Sequence, residues 1–206
     1  MLDEEASSPE TPYVVFVNGP PRAGKDTLAN AVANRLGARP VKFAGVLKER
    51  THAAYGLHYA PHGHFEACKD QPRDEFLGIT PRQAYIAFSE QMMKPLHGAG
   101  VFGRMLLDDM LFHKLAAGFI VSDSGFAAEA APVVERFGAI NCLLLRIWRS
   151  GHDFSGDSRS YIELPSVETL EVSNNDTEAL FRRIGLDAVQ DWMERRAALG
   201  APTDGR

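Results

Sequence analysis

The residues best spaced for chemistry lie between Gly19 and Thr27. Gly19 is followed by four residues and then by Gly24-Lys25, which is the spacing of a phosphate-binding (Walker A) loop. Glycines let the backbone approach phosphate oxygens, backbone N–H groups donate to them, and Lys25 can reach the outer phosphates. We therefore predict ATP binding, with contacts from Gly19, Arg22, Ala23, Gly24, Lys25, Asp26 and Thr27.

The position after the lysine suggests how a metal would be bound. It carries Asp26, where a serine or threonine hydroxyl usually binds Mg²⁺. A carboxylate oxygen is also a ligand that Mg²⁺ prefers. We predict that Asp26 contacts the metal, directly or through water, or that Thr27 supplies the hydroxyl. An aspartate in the first turn of a helix is also favourable without any metal.

A second candidate for the metal site is Asp123, which closes the apolar run 118–121. In phosphate-loop proteins an acidic residue at the end of a strand holds Mg²⁺. Alternatively, Asp123 or Ser124 is the N-cap of the next helix. We favour a role for Asp123 at the metal or beside the second substrate.

Arginines are the third group, because phosphoryl transfer needs positive charge around the moving group. The polar, glycine-containing segment 149–165 is predicted to be a mobile lid, which begins at Arg149 and contains Arg159. A closing lid would also exclude water. We predict that catalysis depends on Lys25, Asp123, Arg149 and Arg159, although a surface arginine is more often simply solvated.

Candidates for binding the acceptor of the phosphoryl group are scattered, and they are Lys48, Arg73, Arg82, Arg104 and Phe126. Residues 56–79 are rich in His, Pro, Gly and charge, and we interpret them as an insertion over the site. One hypothesis is a zinc site formed by His58, His62, His64 and Cys68. Their spacing matches no common zinc finger, so an acceptor-binding loop or a plain surface loop is favoured.

The elements that must position these residues alternate between strands and helices. Strands are predicted at 13–17, 41–43, 118–123, 140–148 and 168–172. Helices are predicted at 24–36, 45–55, 81–94, 101–116, 127–137 and 176–198, the last broken near Gly185. Thr80 is the expected N-cap of the third helix, with Pro81 at its first position. This alternation predicts an α/β fold with a parallel sheet, helices on both faces and ligands at the carboxyl ends of the strands.

Length and composition bound the remaining possibilities. With 206 residues there is room for one domain, 13–200, with an acceptor-binding insertion at about 45–116, a disordered leader 1–12 and a tail 201–206. The net charge of −5 and the lack of a basic run argue against a large nucleic-acid surface. Two distant cysteines, no secretory signal and no membrane-length apolar run indicate a cytoplasmic protein.

The segments GPPRAGKDT, FAGVLKER and IVSD, with the closing strand and lid, resemble phage deoxynucleoside monophosphate kinases. Animal phosphomevalonate kinases share a similar GKD-type loop. The resemblance covers most of residues 13–185 and is specific at the loop. It implies a three-layer P-loop NTPase fold of the nucleoside monophosphate kinase type, and transfer of the γ-phosphoryl of ATP to a small acceptor with Mg²⁺. It assigns the triphosphate to Gly19, Gly24, Lys25, Asp26 and Thr27, the acidic strand end to Asp123 and the lid arginine to Arg149.

The sequence departs from these families after Asp123. They commonly read Asp-Thr-Arg, with an arginine suited to the acceptor phosphate, whereas Gly125 stands at that position here. Either another arginine replaces it, or the acceptor presents a hydroxyl without a free monophosphate. The candidates for replacement are Arg73, Arg82 and Arg104.

Three functions follow as expectations. The first is a deoxynucleoside monophosphate kinase of phage-type nucleotide or DNA-modification metabolism, in the host cytoplasm. The second is a kinase for 5-hydroxymethyluracil in duplex DNA, on the route to hypermodified thymidine. The third is a nucleotide-binding regulatory protein that does not turn over. The base of the acceptor and a homodimeric state stay open.

Overall fold

A parallel five-stranded sheet is the centre of the protein. A computed structural model describes residues 12–113 and 115–200. The strands are β1 (Tyr13–Asn18), β2 (Arg39–Val41), β3 (Gly118–Val121), β4 (Cys142–Trp148) and β5 (Glu168–Ser173), in the order β2-β3-β1-β4-β5. The predicted tail 201–206 and nearly all of the predicted leader 1–12 lie outside the described residues.

Helices connect the strands and cover both faces of the sheet. They are α1 (Lys25–Leu36), α2 (Phe43–Ala54), α3 (Pro81–Ile86), α4 (Lys94–His97), α5 (Val101–Phe112), α6 (Ala127–Phe137) and α7 (Glu178–Gly200). A π-helix (Ala87–Met93) joins α3 to α4, and short 3-10 turns occupy Glu66–Cys68, Asp74–Phe76 and Ala139–Asn141. The predicted α/β sheet with helices on both faces is confirmed.

The core lies in two layers, one on each face of β1. Successive side chains of a strand point to opposite faces. Val15 and Val17 accordingly pack with residues of α1 and α7, whereas Val14 and Phe16 pack with residues of α5 and α6. All six residues of β1 are buried, because this strand has neighbours on both edges and helices on both faces. Its carboxyl end therefore opens at the middle of the sheet, directly into the phosphate-binding loop.

Local signals predicted several boundaries correctly. Helix α1 ends at Leu36, and Gly37 takes the left-handed conformation with φ of 64°. The N-cap of α3 is Thr80, whose hydroxyl accepts from the N–H of Gln83 while the Gln83 side chain accepts from the N–H of Thr80. Pro81 occupies the first helical position, as predicted. These features depend on neighbouring residues only, which is why the sequence shows them.

Other boundaries were wrong. Strand β2 covers Arg39–Val41 instead of 41–43, because Phe43 opens α2 and buries its ring in the core. Helix α5 ends at Phe112, before the predicted 116. Helix α7 is continuous through Gly185, since this glycine gives room for α1: an added Cβ would lie 2.2 Å from a methyl carbon of Leu28.

The segment between α2 and the π-helix has a small core of its own. It consists of Leu57, Ala60, Phe65, Phe76, Ala84 and Tyr85. His52 is buried beside it and donates from Nδ1 to the carbonyl of Ala60, at 2.8 Å. Its Nε2 then accepts from the Tyr85 hydroxyl, also at 2.8 Å. This satellite core fixes the segment against α2, above the carboxyl ends of β2 and β3.

Among the residues that the structure describes, no helix is long and apolar enough to cross a membrane.

Candidate active site

The phosphate-binding loop joins β1 to α1 at the centre of the sheet. Gly24 has φ of 101°, a conformation that side chains rarely adopt, and an added Cβ would lie 2.6 Å from the Asn174 side-chain nitrogen. That nitrogen donates to the carbonyl of Ala23 at 2.8 Å. The segment after β5 thus braces the loop, and Gly24 is needed both for its backbone angle and for this close approach.

Lys25 folds over the loop that precedes it. Its Nζ donates to the carbonyls of Gly19 and Pro20, at 2.8 and 2.7 Å. Burial lowers the pKa of Lys25, and the positive charge of Arg159 lowers it further, while nearby aspartates act in the opposite direction. The ammonium group therefore folds back on its own loop and lies within electrostatic reach of Arg159 in the lid segment.

Asp26 meets Ser122, the first residue after β3. The Asp26 Oδ1 atom accepts from the Ser122 hydroxyl at 2.8 Å and from Lys42 Nζ at 2.7 Å. Burial opposes ionisation of Asp26, but the hydrogen bonds from Lys42 and Ser122 outweigh it and lower the pKa. A carboxylate and a hydroxyl beside the loop form a set of oxygen ligands that suits Mg²⁺, and Thr27 follows in the first turn of α1.

Asp123 faces the start of α2. Its two carboxylate oxygens accept from the backbone N–H groups of Phe43 and Ala44, at 3.0 and 2.8 Å. Burial raises the pKa of Asp123, and these hydrogen bonds act against that shift. The N-cap of α6 is Phe126, so neither Asp123 nor Ser124 is the cap of that helix. Asp123 ties β3 to α2 and keeps free lone pairs beside the loop.

The lid residues 149–165 contact both the loop and the end of β3. Arg149 Nη1 donates to the carbonyl of Arg22 at 2.9 Å. Arg159 pairs with Asp157, with 2.8 Å between Nε and Oδ1. The stem of Arg159 crosses Gly125, where an added Cβ would lie 2.4 Å from Arg159 Cδ. A larger residue at position 125 would collide with this arginine.

Asn18, the last residue of β1, is fully buried and joins three segments. Its side-chain nitrogen donates to the carbonyls of Ser124 and Ser160, at 2.6 and 3.0 Å. Its side-chain oxygen accepts from the N–H of Ile162 at 3.2 Å. Sequence reasoning missed Asn18, and its one signal is a polar residue at the end of an otherwise apolar strand.

A pocket of about 230 Å³ lies between α2, the π-helix, α6 and the lid segment, and two residues of its lining, Asp123 and Arg159, lie within electrostatic reach of Lys25. We call it the Phe126 pocket. Its charged and aromatic lining includes Glu90, Lys94, Asp123, Phe126, Glu129 and Arg159. Lys94 Nζ pairs with Glu90 at 2.6 Å and lies 4.8 Å from the centre of the Phe126 ring. A larger groove of about 560 Å³ between β2, α2 and α5 contains no residue of the phosphate loop or lid.

The structure brings together some of the residues that the sequence suggested. Asp123, Phe126 and Arg159 line the Phe126 pocket, and Lys25 lies within electrostatic reach of Asp123 and Arg159. Four suggested acceptor residues pair elsewhere and do not line the pocket. Lys48 pairs with Glu66, Arg73 with Glu75, Arg82 with Asp70, and Arg104 donates to the carbonyl of His97.

The histidine-rich segment has ordinary contacts. His62 lies 3.2 Å from a carboxylate oxygen of Glu49, and the Cys68 thiol lies 3.7 Å from the carbonyl of Phe65. Within residues 12–113 and 115–200, no three His, Cys, Asp or Glu side chains are grouped so as to hold a metal ion.

Sequence reasoning missed Lys42, Lys94, Ser122 and Glu129. Of these, Glu129 had a visible signal: it shares the buried face of α6 with Val133 and Phe137, at four-residue spacing. A carboxylate in that series is unusual, since glutamate is rarely buried without a partner. Lys94 had no such signal in the sequence, because its position in the structure depends on the π-helix.

No protein-family model matches the chain, and no curated protein matches it. Solved structures do resemble it. A gluconokinase from Sinorhizobium meliloti has a TM-score of 0.53 at 12% identity, over 93% of this chain and 99% of that one. A sugar kinase from Janibacter sp. has a TM-score of 0.51 at 12% identity, over 89% and 95%. The parallel sheet, the loop at its centre and these likenesses together show that the chain has the three-layer P-loop kinase fold.

Proposed function

We propose that this protein is an ATP-dependent kinase that transfers the γ-phosphoryl group to a small acceptor in the Phe126 pocket. One observation carries the proposal: Lys25 of the loop lies within electrostatic reach of Asp123 and Arg159, and both of these residues line the Phe126 pocket. Direct transfer requires a donor site and an acceptor site that are close together.

Different residues of the site are assigned to phosphate binding and to charge neutralisation. Loop N–H groups and Lys25 bind the outer phosphates of ATP. Asp26 and Ser122, with Thr27 and Asp123 as further candidates, would hold Mg²⁺, which when bound offsets phosphate charge. Arg149 and Arg159 close from the lid. Asp123 can accept a hydrogen bond from an acceptor hydroxyl, and its raised pKa suits it to take the proton.

Two acceptors remain candidates. A deoxynucleoside monophosphate is the first, because the chain resembles kinases of that class and the pocket offers an aromatic ring with two cations, Lys94 and Arg159. A hydroxymethylated base in DNA is the second. It is favoured by the pairing of both cations with carboxylates, Glu90 and Asp157, which leaves no unpaired cation in the pocket lining for a phosphate.

The test follows label from γ-labelled ATP with Mg²⁺ to each deoxynucleoside monophosphate, and to duplex DNA with or without 5-hydroxymethyluracil. Lys25→Ala should lower transfer about 100- to 1,000-fold, since it removes a donor to the charge of the transition state. Arg35→Ala, an exposed change in the last turn of the same helix, should leave the rate unchanged.

Full transfer by Lys25→Ala would show that the loop assignment is wrong. ATP binding by the wild type without transfer to any of these acceptors would favour the non-catalytic regulatory protein instead.

A further inference from the structure

Glu129 is a carboxyl-bearing side chain of the Phe126 pocket whose chemistry the proposed transfer does not use. It is 7% exposed, although it carries a carboxyl group. It lies on the buried face of α6, four and eight residues before Val133 and Phe137, which are core residues. Its carboxyl group makes no hydrogen bond to another described residue, and its oxygens keep some accessible surface in the pocket that the residue lines.

A buried carboxyl group of this kind lowers the stability of the folded state. Burial of an ionisable carboxyl without a hydrogen bond opposes folding, and proteins normally pair or replace it. The pKa of Glu129 is raised to about 7, mainly by burial and also by the charge of Asp123, while Lys94 acts in the opposite direction. A neutral glutamine or an apolar residue would fold at lower cost at this position.

Two charged groups that act on Glu129, Lys94 and Asp123, are already engaged with other partners. Lys94 pairs with Glu90, which also accepts from the Ser89 hydroxyl at 2.9 Å. Asp123 accepts two backbone N–H groups and offers no donor when ionised. The hydrogen-bonding capacity of Glu129 is therefore directed to whatever enters the pocket.

The backbone at Glu129 is held firmly by α5. An added Cβ on Gly103 would lie 2.0 Å from the Glu129 carbonyl oxygen, so α5 touches α6 at this residue. A binding group needs such support, because a loosely held side chain loses its orientation.

We propose that Glu129 recognises the acceptor by accepting hydrogen bonds from an uncharged N–H or O–H group. This inference rests on the proposed kinase function, and it orients the acceptor. The uncharged end, the donor edge of a base or the hydroxyls of a sugar, lies towards α6 and Phe126. The end that receives the phosphoryl group lies towards Arg159 and Lys25. A phosphate placed beside Glu129 would be repelled by the carboxylate of that residue.

The experiment compares wild type with Glu129→Gln and with Glu135→Gln, an exposed control on the same helix. Phosphoryl transfer is measured for the four deoxynucleoside monophosphates, the four deoxynucleosides, D-gluconate and sorbitol. These arms separate base N–H groups from sugar hydroxyls. Thermal unfolding is measured without ligand at mildly alkaline pH.

For Glu129→Gln we expect kcat/KM for the acceptor to fall about 10- to 100-fold, because a charged hydrogen-bond acceptor is lost. The KM for ATP should not change. The melting temperature should rise, since a carboxyl group whose ionisation is opposed by burial is replaced by a neutral amide. Glu135→Gln should match the wild type in each measurement.

Two results would overturn the inference: unchanged acceptor kcat/KM in Glu129→Gln, or a melting temperature below that of the wild type, which would make Glu129 a structural residue. Failure of the kinase proposal looks different. If no ATP is consumed in a Lys25-dependent way, the kinase proposal fails. The melting temperatures of wild type and Glu129→Gln still test whether Glu129 is a structural residue. Lys25-dependent ATP hydrolysis without transfer to any compound would indicate an ATPase, and it would also overturn the inference because no acceptor of the stated chemistry is used.

Discussion

At the scale of single residues, carboxyl groups set the electrostatic character of this site. Asp26 has a lowered pKa because Lys42 and Ser122 donate to it despite its burial. Asp123 and Glu129 have raised pKa values, and burial is the main cause for both. The carboxyl groups of the candidate site therefore have pKa values that are shifted in different directions. Such differences in pKa are common where one group binds a cation and another accepts protons or binds hydrogen-bond donors.

Glu129 gives a pH dependence of stability with an unusual sign. Its pKa rises from 4.5 to about 7 on folding, so between these values the native state holds a proton that the unfolded chain has released. The free energy of unfolding should then fall as pH rises through this window, by up to roughly 3 kcal/mol from this group. We expect urea denaturation to show this loss in the wild type from about pH 5 to about pH 8.

Glu129→Gln should remove most of that slope. Asp123, Glu90 and Lys94 face Glu129 and remain in both proteins, so the difference between the two curves isolates Glu129. Glu135→Gln should retain the wild-type slope. Parallel curves for wild type and Glu129→Gln would mean that Glu129 has an ordinary pKa.

At the scale of elements, the lid is built against a position without a side chain. The stem of Arg159 lies across Gly125, the position where the kinase families that this sequence resembles commonly carry an arginine. Another arginine therefore occupies this space, but it is Arg159 of the lid and none of those suggested, Arg73, Arg82 or Arg104.

Gly125→Ala should therefore act through the lid. The new methyl group displaces Arg159, which we propose to be catalytic, and misplacing such a group by about 1 Å can cost about 100-fold in rate. We expect kcat to fall to that extent, with the KM for ATP nearly unchanged. Gly63→Ala is a suitable control, because an added Cβ there meets nothing within 4 Å.

A double mutant separates this explanation from a general loss of structure. Arg159→Ala should be about as slow as Gly125→Ala, and the combined variant should be no slower than Arg159→Ala alone. If the two losses multiply instead, Gly125 does not act through Arg159.

The same elements show how far the sequence could predict the site. The loop, α1 and the capping box of α3 were predictable, because glycine spacing, apolar runs and cap residues act locally. The start of α2, the π-helix and the unbroken α7 were not. They depend on the burial of Phe43, on the packing of residues 81–97 over the sheet, and on the contact between Gly185 and Leu28. Phe126 was found because it follows a strand end, whereas Lys94 depends on a distant helix.

At the scale of the whole molecule, the two cysteines should react under different conditions, one in the native state and the other only after global unfolding. Cys142 is buried in β4 opposite Val14 of β1, and burial raises its pKa to about 12. Cys68 is partly buried in the segment over the sheet. In the native protein we expect a disulfide reagent to modify Cys68 first and Cys142 only at the rate of global unfolding.

The measurement is the time course of thiol release with wild type and Cys68→Ser. The variant should show the slow phase alone, and denaturant should accelerate it. A single fast phase for both thiols would mean that the centre of the sheet opens without global unfolding.

The two outer strands of the sheet have a consequence for how copies of this chain meet. At one edge, β2 has three residues and includes Pro40, which has no N–H to offer. At the other, β5 exposes Glu168 and Glu171, and Arg195 of α7 pairs with Glu168. Neither edge is a good template for a foreign strand. Self-recognition through main-chain pairing is thus discouraged, which helps newly made chains to fold in a crowded cell without adhering to one another.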